Sequence, residues 1–360
     1  LLTSGVSTFV VVNILANLLF LVRSYVSMRV LEHEQLGMVA LLQTLILLIS
    51  TLQFGMVNGG YRLLCSEGEA QSAHINDLVF TFTGALGLCC TIALICVLPF
   101  LESSRIILAA ILGVVAGVAT LLRNWLANHL IAKVKLKRFN SVTVWCAVIS
   151  MAPLALIPRA PLPACLASVA LQPLAFGVVV LWTEPALRPH RLAWPRALVR
   201  QVMAAGFAVF LTGMLLQLNQ QIERWYILKY LGLAALGHLY LMLLYVNLFQ
   251  IVPTSLDSLF LPRVVRAQAQ DDKTASQREI RKFLLVEAAY CAAAVFVTVL
   301  LAGPVLRLLL PRYLVDLPYV WLFLPGLVAF TLASPFALVF NVLIRYRAYY
   351  VAYGLGSLLT

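Results

Sequence analysis

Apolar residues fill most of this chain in long uninterrupted blocks, separated by short polar or proline-rich stretches. A helix needs about 20 such residues to cross a bilayer core, and the blocks reach that length repeatedly. The first predicts a helix from about Gly5 through Val22 toward Val30. The LEHEQ turn (31–35) leads to a second over Gly37–Tyr61. After a polar loop near 66–76, a third covers Asp77–Phe100. A fourth covers Arg105–Ile131 and ends in the basic cluster KVKLKR at 133–138. A proline-rich turn separates a fifth, Ser141–Ile157, from a sixth, Leu162–Trp182. Pro185, Pro189 and Pro195 in the next stretch interrupt any helix there and mark a linker. Further helices are predicted over Gln201–Lys229, Leu236–Leu261 and Phe283–Leu310, and from the turn at 312–318 to Ile344. The charged stretch 263–282 reads as a loop, and Tyr349–Thr360 reads as a spanning helix cut short.

Composition fixes the class. Of the 360 residues, 62% are hydrophobic and 11% charged, and the mean hydropathy is +0.95. Soluble domains carry about 25% charged residues, so the expectation is an all-α polytopic membrane protein. The net charge of +12 is not a nucleic-acid signal, because the cations lie in the loops between apolar blocks. Seventeen Lys and Arg fall in the loops after even-numbered predicted helices and six in the opposite loops, with Arg23, Arg123 and Arg224 inside helices. Positive-inside sorting makes the even loops and the N-terminus cytoplasmic. The seven cysteines show no CxxC pairing, and the five histidines are scattered. No metal site, cofactor or catalytic residue set is therefore expected.

The stretch 217–263 repeats marks found near the N-terminus. Arg23 and Arg224 are 201 residues apart, as are Arg62 and Arg263, and the Leu-Gly pairs at 36–37 and 236–237 are 200 apart. One shared period points to a duplicated unit. An even number of predicted helices lies between the copies, so both halves enter the membrane in the same direction. Such parallel repeats around a central cavity are one plan of membrane transporters. The expected organisation is a six-helix N-terminal lobe at 1–183, a cytoplasmic linker at 184–200 and a C-terminal lobe at 201–360. Twelve helices are expected and about ten and a half are present, with roughly forty residues missing by the repeat period and a fragment expected at both ends.

The Glu223–Arg224 pair, Leu236–Gly237 and the LPR at 261–263 carry a resemblance, together with Leu36–Gly37 and the QFGMVNGGYR run ending at Arg62. The chain resembles the oligosaccharide and polysaccharide flippases of the multidrug/oligosaccharidyl-lipid/polysaccharide exporter superfamily. That family usually carries Asp before the Arg, so Glu223 is a departure that keeps the charge. The resemblance implies two six-helix lobes alternating between inward- and outward-open states in the bacterial cytoplasmic membrane. It implies that an undecaprenyl-diphosphate-linked oligosaccharide is moved to the outer leaflet for O-antigen, capsule or exopolysaccharide assembly. Its partners would be that substrate, membrane lipid, H⁺ or Na⁺ as coupling ion, and polysaccharide polymerase machinery. A drug or small-cation antiporter of the same superfamily is an alternative that favours acidic cavities. A membrane-embedded glycan polymerase or acyltransferase is less favoured, because such enzymes need a sizeable outer loop.

Charges inside spanning segments are costly and so mark candidate sites. Arg123 lies ten residues before Lys133, roughly 15 Å from the cytoplasmic end by helical rise. Asn124 and Asn128 share its helix. Either the three contact a phosphate or sugar in a cavity, or Arg123 snorkels to the interface. Arg23 and Arg224 are further substrate-binding candidates, and Glu223 and Asp257 are candidates for gating or ion coupling. Arg62 and Arg263 end helices at the cytoplasmic face, where they either contact lipid phosphate or follow positive-inside sorting. Glu287, five residues beyond Lys282, is expected at the interface.

Overall fold

The computed structural model describes residues 2–66, 69–101, 103–133, 135–269 and 273–342. Among these residues every regular element is helical. The α-helices are α1 (Leu2–Val30), α2 (His33–Thr51), α3 (Met56–Ser66), α4 (Glu69–Val97), α5 (Ser104–Ala132), α6 (Leu136–Ile149) and α7 (Pro161–Thr183). They continue with α8 (Arg196–Tyr230), α9 (Gly232–Ala269), α10 (Lys273–Leu309) and α11 (Leu317–Val342). Nine segments among the described residues are long and apolar enough to span a membrane. Many of their large apolar side chains face outward, among them Leu88, Ile95, Val178 and Phe296, as a helix surrounded by lipid requires. The chain is an all-α, multi-pass membrane protein.

Three sequence expectations change. The single helix expected over Gly37–Tyr61 is two helices, α2 and α3, with a break at residues 52–55. The charged stretch 263–282 is mostly helix rather than loop, since α9 continues to Ala269 and α10 begins at Lys273. Its Ala, Gln, Arg and Lys residues are good helix formers, and Lys282 pairs with Glu279 at 2.7 Å. The predicted fifth helix ends early: α6 stops at Ile149, and a tight turn at Ala152–Leu156 follows, with Pro153 at its start. The partial helix expected at Tyr349–Thr360 lies outside the described residues.

By contacts the chain forms two compact units, Leu1–Leu236 and Gly237–Thr360. In the first, α5 is central. Its Gly113 and Gly117 face Leu45 and Ile49 of α2, where a Cβ on Gly117 would lie 2.7 Å from the Ile49 Cβ. The spacing thus brings two helices close, as small residues do in membranes. On its other sides α5 meets α4, α6 and α7 around Val79, Leu121, Trp125, Phe139, Phe176 and Val180. The stretch after α7 is docked rather than loose. Asn76 Nδ2 donates to Leu187 O at 3.1 Å, Asp77 Oδ1 accepts from His190 N at 2.8 Å, and Thr81 Oγ1 accepts from Ala193 N at 3.0 Å. Lys135 adds an ion pair to Glu184 at 2.6 Å.

The α8 helix joins this first unit by backbone contact with α3. Gly59 lies against the Val202 carbonyl, and Gly206 lies against Gly55 O and Gly59 N, so that a Cβ at either glycine would overlap backbone atoms. In the second unit, Phe249, Cys291, Leu324 and Leu327 form a core among α9, α10 and α11. Tyr290 Oη donates to Phe249 O at 2.7 Å, and Gln250 Nε2 donates to Thr331 Oγ1 at 3.2 Å. His238 Nδ1 lies 2.7 Å from Asp316 Oδ1.

Candidate functional site

The break between α2 and α3 builds the most distinctive polar site of the first unit. Phe54 (φ 47°) and Gly55 (φ 83°) are both left-handed, which ends the α2 ladder and reorients the chain. The left-handed region costs a non-glycine residue roughly 1–2 kcal/mol. Phe54 is held there by ring contacts to Phe82 at 6.4 Å and Phe210 at 5.6 Å. Short bonds close the turn, Gln53 N to Thr51 O at 2.8 Å and Met56 N to Gln53 O at 2.8 Å. Irregular backbone is tolerated at membrane depth where protein covers it or where it lines a cavity.

Here it does line one. A cavity of about 220 Å³ lies between the break and α5, bounded by Gln53, Val57, Asn58, Leu121, Asn124, Ala127 and Asn128. Four of these seven side chains are carboxamides. Asn124 and Asn128 reach it together because positions i and i+4 share a helix face. Gln53 Oε1 is buried without a hydrogen-bond partner among the described residues. A carboxamide offers two donors and one acceptor oxygen, so the group forms a neutral, dense set of hydrogen-bonding positions. Gln53 and Asn58 are absent from the candidates read from sequence. Their only signal there is their place in the QFGMVNGGYR run, where Gly55 is the one residue that hints at the break.

Arg123 does not join Asn124 and Asn128. Its guanidinium lies over the Phe176 ring of α7, 5.4 Å from the centroid, and it is not among the residues bounding the cavity. Arg23 is buried, 5% exposed. It donates from Nη1 to Ser168 O and to Gln172 Oε1, each at 3.1 Å, and so ties α1 to α7. Arg62 is exposed and donates to Ala205 O at 3.1 Å, bridging α3 to α8 beside the glycine contact.

Arg224 is partly buried, and its Nε has no hydrogen-bond partner among the described residues, while Glu223 is exposed. Gln217 and Gln221 precede Arg224 at i−7 and i−3, so all three share one face of α8. Each glutamine carries a buried Oε1 without a partner among the described residues. The side chains of Asp257 and Arg263, on α9, lie outside the described residues. Glu287 is fully buried in the second unit. On α10 it lies beside Cys291, a member of the unit's core.

Comparison with known proteins places this arrangement. The sequence matches the family described as "Polysaccharide biosynthesis protein" over residues 26–314. No curated protein matches it. Among solved structures, the inward-facing form of a multidrug resistance MATE family transporter of the MOP superfamily superposes with a TM-score of 0.71. Identity to it is 14%, over 97% of this chain and 83% of that one. An MOP superfamily transporter from Pyrococcus furiosus, whose binding pocket is described as having reversed polarity, gives a TM-score of 0.68. It is 12% identical over 99% of this chain and 84% of that one. The MATE multidrug transporter DinF-BH, solved as a complex, gives 0.60 at 12% identity, over 94% and 85%. At these identities the likeness establishes the fold, which is MATE-like.

Proposed function

Because the chain belongs to the polysaccharide biosynthesis protein family, we propose that it is an alternating-access carrier that moves a lipid-linked oligosaccharide across the membrane. The observation that carries this reading is the cavity at the helix break, walled by Gln53, Asn58, Asn124 and Asn128. Sugar hydroxyls both donate and accept, and carboxamides do the same without charge. Half-buried polar groups of this kind disfavour a partner that covers them without pairing with them. In this reading the two lobes are 1–183 and 201–360, joined by the docked linker 184–200, with the N-terminus cytoplasmic in a bacterial inner membrane. An undecaprenyl-diphosphate carrier lipid would be the non-sugar part of the cargo, and a proton or Na⁺ gradient would drive its movement. The protein is then a carrier rather than a glycan-joining enzyme.

A second reading is a drug or small-cation antiporter. The solved structures of this fold, several named as multidrug transporters, lend it more weight than they lend the glycan cargo. Against it, none of the residues bounding the cavity is acidic, whereas recognition of a cation favours a carboxylate. The two readings separate in proteoliposomes holding the purified chain. Translocation of a fluorescent lipid-diphosphate-linked oligosaccharide, together with no gradient-driven efflux of a cationic dye, is the expected result. Dye efflux without glycan translocation would replace the first reading by the second.

A further inference from the structure

One face of α8 repeats a graded pattern that the cavity does not use. Arg196, Val199, Arg200, Met203 and Phe207 recur at i, i+3, i+4, i+7 and i+11, the spacing of a single helix face. With Trp194 and Ala204 they bound an open groove of about 490 Å³. The two arginines stand at one end, and the apolar side chains continue for roughly 10 Å from Arg200 to Phe207 by helical rise. Trp194 is 51% and Phe207 47% exposed.

The neighbouring cations are committed elsewhere: Arg188 donates to Leu181 O at 2.9 Å, and Arg191 lies 3.3 Å from His74 Nδ1. Arg196 and Arg200 are exposed, and neither makes an ion pair with another described residue. The groove therefore has two positive charges at one end, unpaired among the described residues, and an apolar floor leading away from it. The indole of Trp194 stands at the arginine end, just before α8 begins, and tryptophan is enriched at membrane interfaces.

We propose that this groove binds an anionic glycerophospholipid. Its phosphate sits between Arg196 and Arg200, and one acyl chain lies along Val199, Met203 and Phe207. Trp194 packs at the level of the glycerol. The complementarity is specific in both parts: a free anion leaves the apolar floor uncovered, and a zwitterionic lipid brings its own cation to the arginines. The groove is open along its length and shares no bounding residue with the carboxamide cavity. It therefore suits a lipid lying against the protein rather than a hydrated glycan needing shelter. Basic side chains at a membrane surface attract anionic lipid with an energy worth roughly fivefold in affinity each, so the pair contributes about 25-fold.

The test is quenching of tryptophan fluorescence in the full chain, in detergent, by brominated phosphatidylglycerol and by brominated phosphatidylcholine. The chain has six tryptophans, so the signal from the groove is the part that Trp194→Phe removes. Saturable quenching by phosphatidylglycerol alone, weakened about 25-fold in Arg196→Gln/Arg200→Gln, is the expected result. Arg196→Lys/Arg200→Lys should retain binding within a few-fold, which separates charge from folding. Equal quenching by phosphatidylcholine, or undiminished phosphatidylglycerol binding by the glutamine variant, overturns the proposal. Displacement of phosphatidylglycerol by equimolar undecaprenyl diphosphate also overturns it, because the groove would then be a cargo site.

Discussion

The indole N–H of Trp125 donates to Asn76 Oδ1 at 2.9 Å, and the Asn76 amide in turn donates to Leu187 O at 3.1 Å. One carboxamide thereby links α5, α4 and the start of the linker. Trp125 is fully buried and Asn76 is 2% exposed, so water cannot replace either bond. Asn76→Ala strands a buried donor and a carbonyl, each costing about 1–3 kcal/mol. The expected outcome is a large drop in the midpoint of thermal unfolding in detergent, with Trp125→Phe losing less.

The glycines of the α3–α8 crossing should tolerate no side chain. An alanine Cβ at Gly59 overlaps the Val202 carbonyl, and one at Gly206 lies 2.7 Å from Gly59 Cα. Gly213, further along α8, has nothing within 4 Å of its Cβ position. Gly213→Ala should therefore stabilise the helix by roughly 0.5–1 kcal/mol, whereas Gly59→Ala and Gly206→Ala should sharply reduce the yield of monodisperse protein. Size-exclusion profiles of the three variants compare them directly. Equal profiles would mean that the helices do not approach this closely.

Hydropathy made the spanning helices legible, because bilayer thickness sets the length of an apolar run. It could not reveal the break at 52–55. Phe54 is apolar and sits inside an apolar run, and its left-handed backbone is held by Phe82 and Phe210, contacts that exist only once the helices have packed. Asn124 and Asn128 stood out as amides in an apolar helix. Whether Arg123 faced the same way depended on how α5 is rotated between α2 and α7, which periodicity alone does not fix. The charged residues of 263–282 looked like loop because hydropathy reports where the membrane ends, not where the helix ends.

Arg23 illustrates the same limit and leads to a separate prediction. An arginine within a spanning segment reads as functional. Its acceptors, Ser168 O and Gln172 Oε1, lie 145 and 149 residues away in sequence. Arg23→Met leaves them without this donor in a buried setting and should cost roughly 2–4 kcal/mol, within the range for breaking a buried charged hydrogen-bond pair. Arg23→Lys should recover part of that, having the charge but not the fork. The midpoint of thermal unfolding should fall in the order wild type, lysine, methionine. The protein that remains folded should transport cargo with unchanged apparent KM. A raised KM at unchanged stability would instead assign Arg23 to the cargo.

The carboxamide cavity gives the sharpest separation of folding from function. Asn124 and Asn128 bound the cavity from α5, and Arg123 beside them lies over Phe176 instead. Replacing either asparagine by leucine exchanges a polar side chain in a spanning helix for an apolar one, and leucine is the better helix former. Stability in detergent should hold or rise. Each lost hydrogen bond to a sugar hydroxyl is worth about 0.5–1.5 kcal/mol, so Asn124→Leu should weaken cargo binding by up to about tenfold, and the double variant by more. Arg123→Gln should do the opposite. It removes a cation–π contact worth roughly 0.5–2 kcal/mol, lowers the unfolding midpoint and leaves cargo affinity near wild type. Thermal unfolding and the proteoliposome translocation assay, run on the same preparations, read both quantities. If Arg123→Gln abolishes translocation while Asn124→Leu/Asn128→Leu preserves it, the cargo is held by the cation and not by the amides.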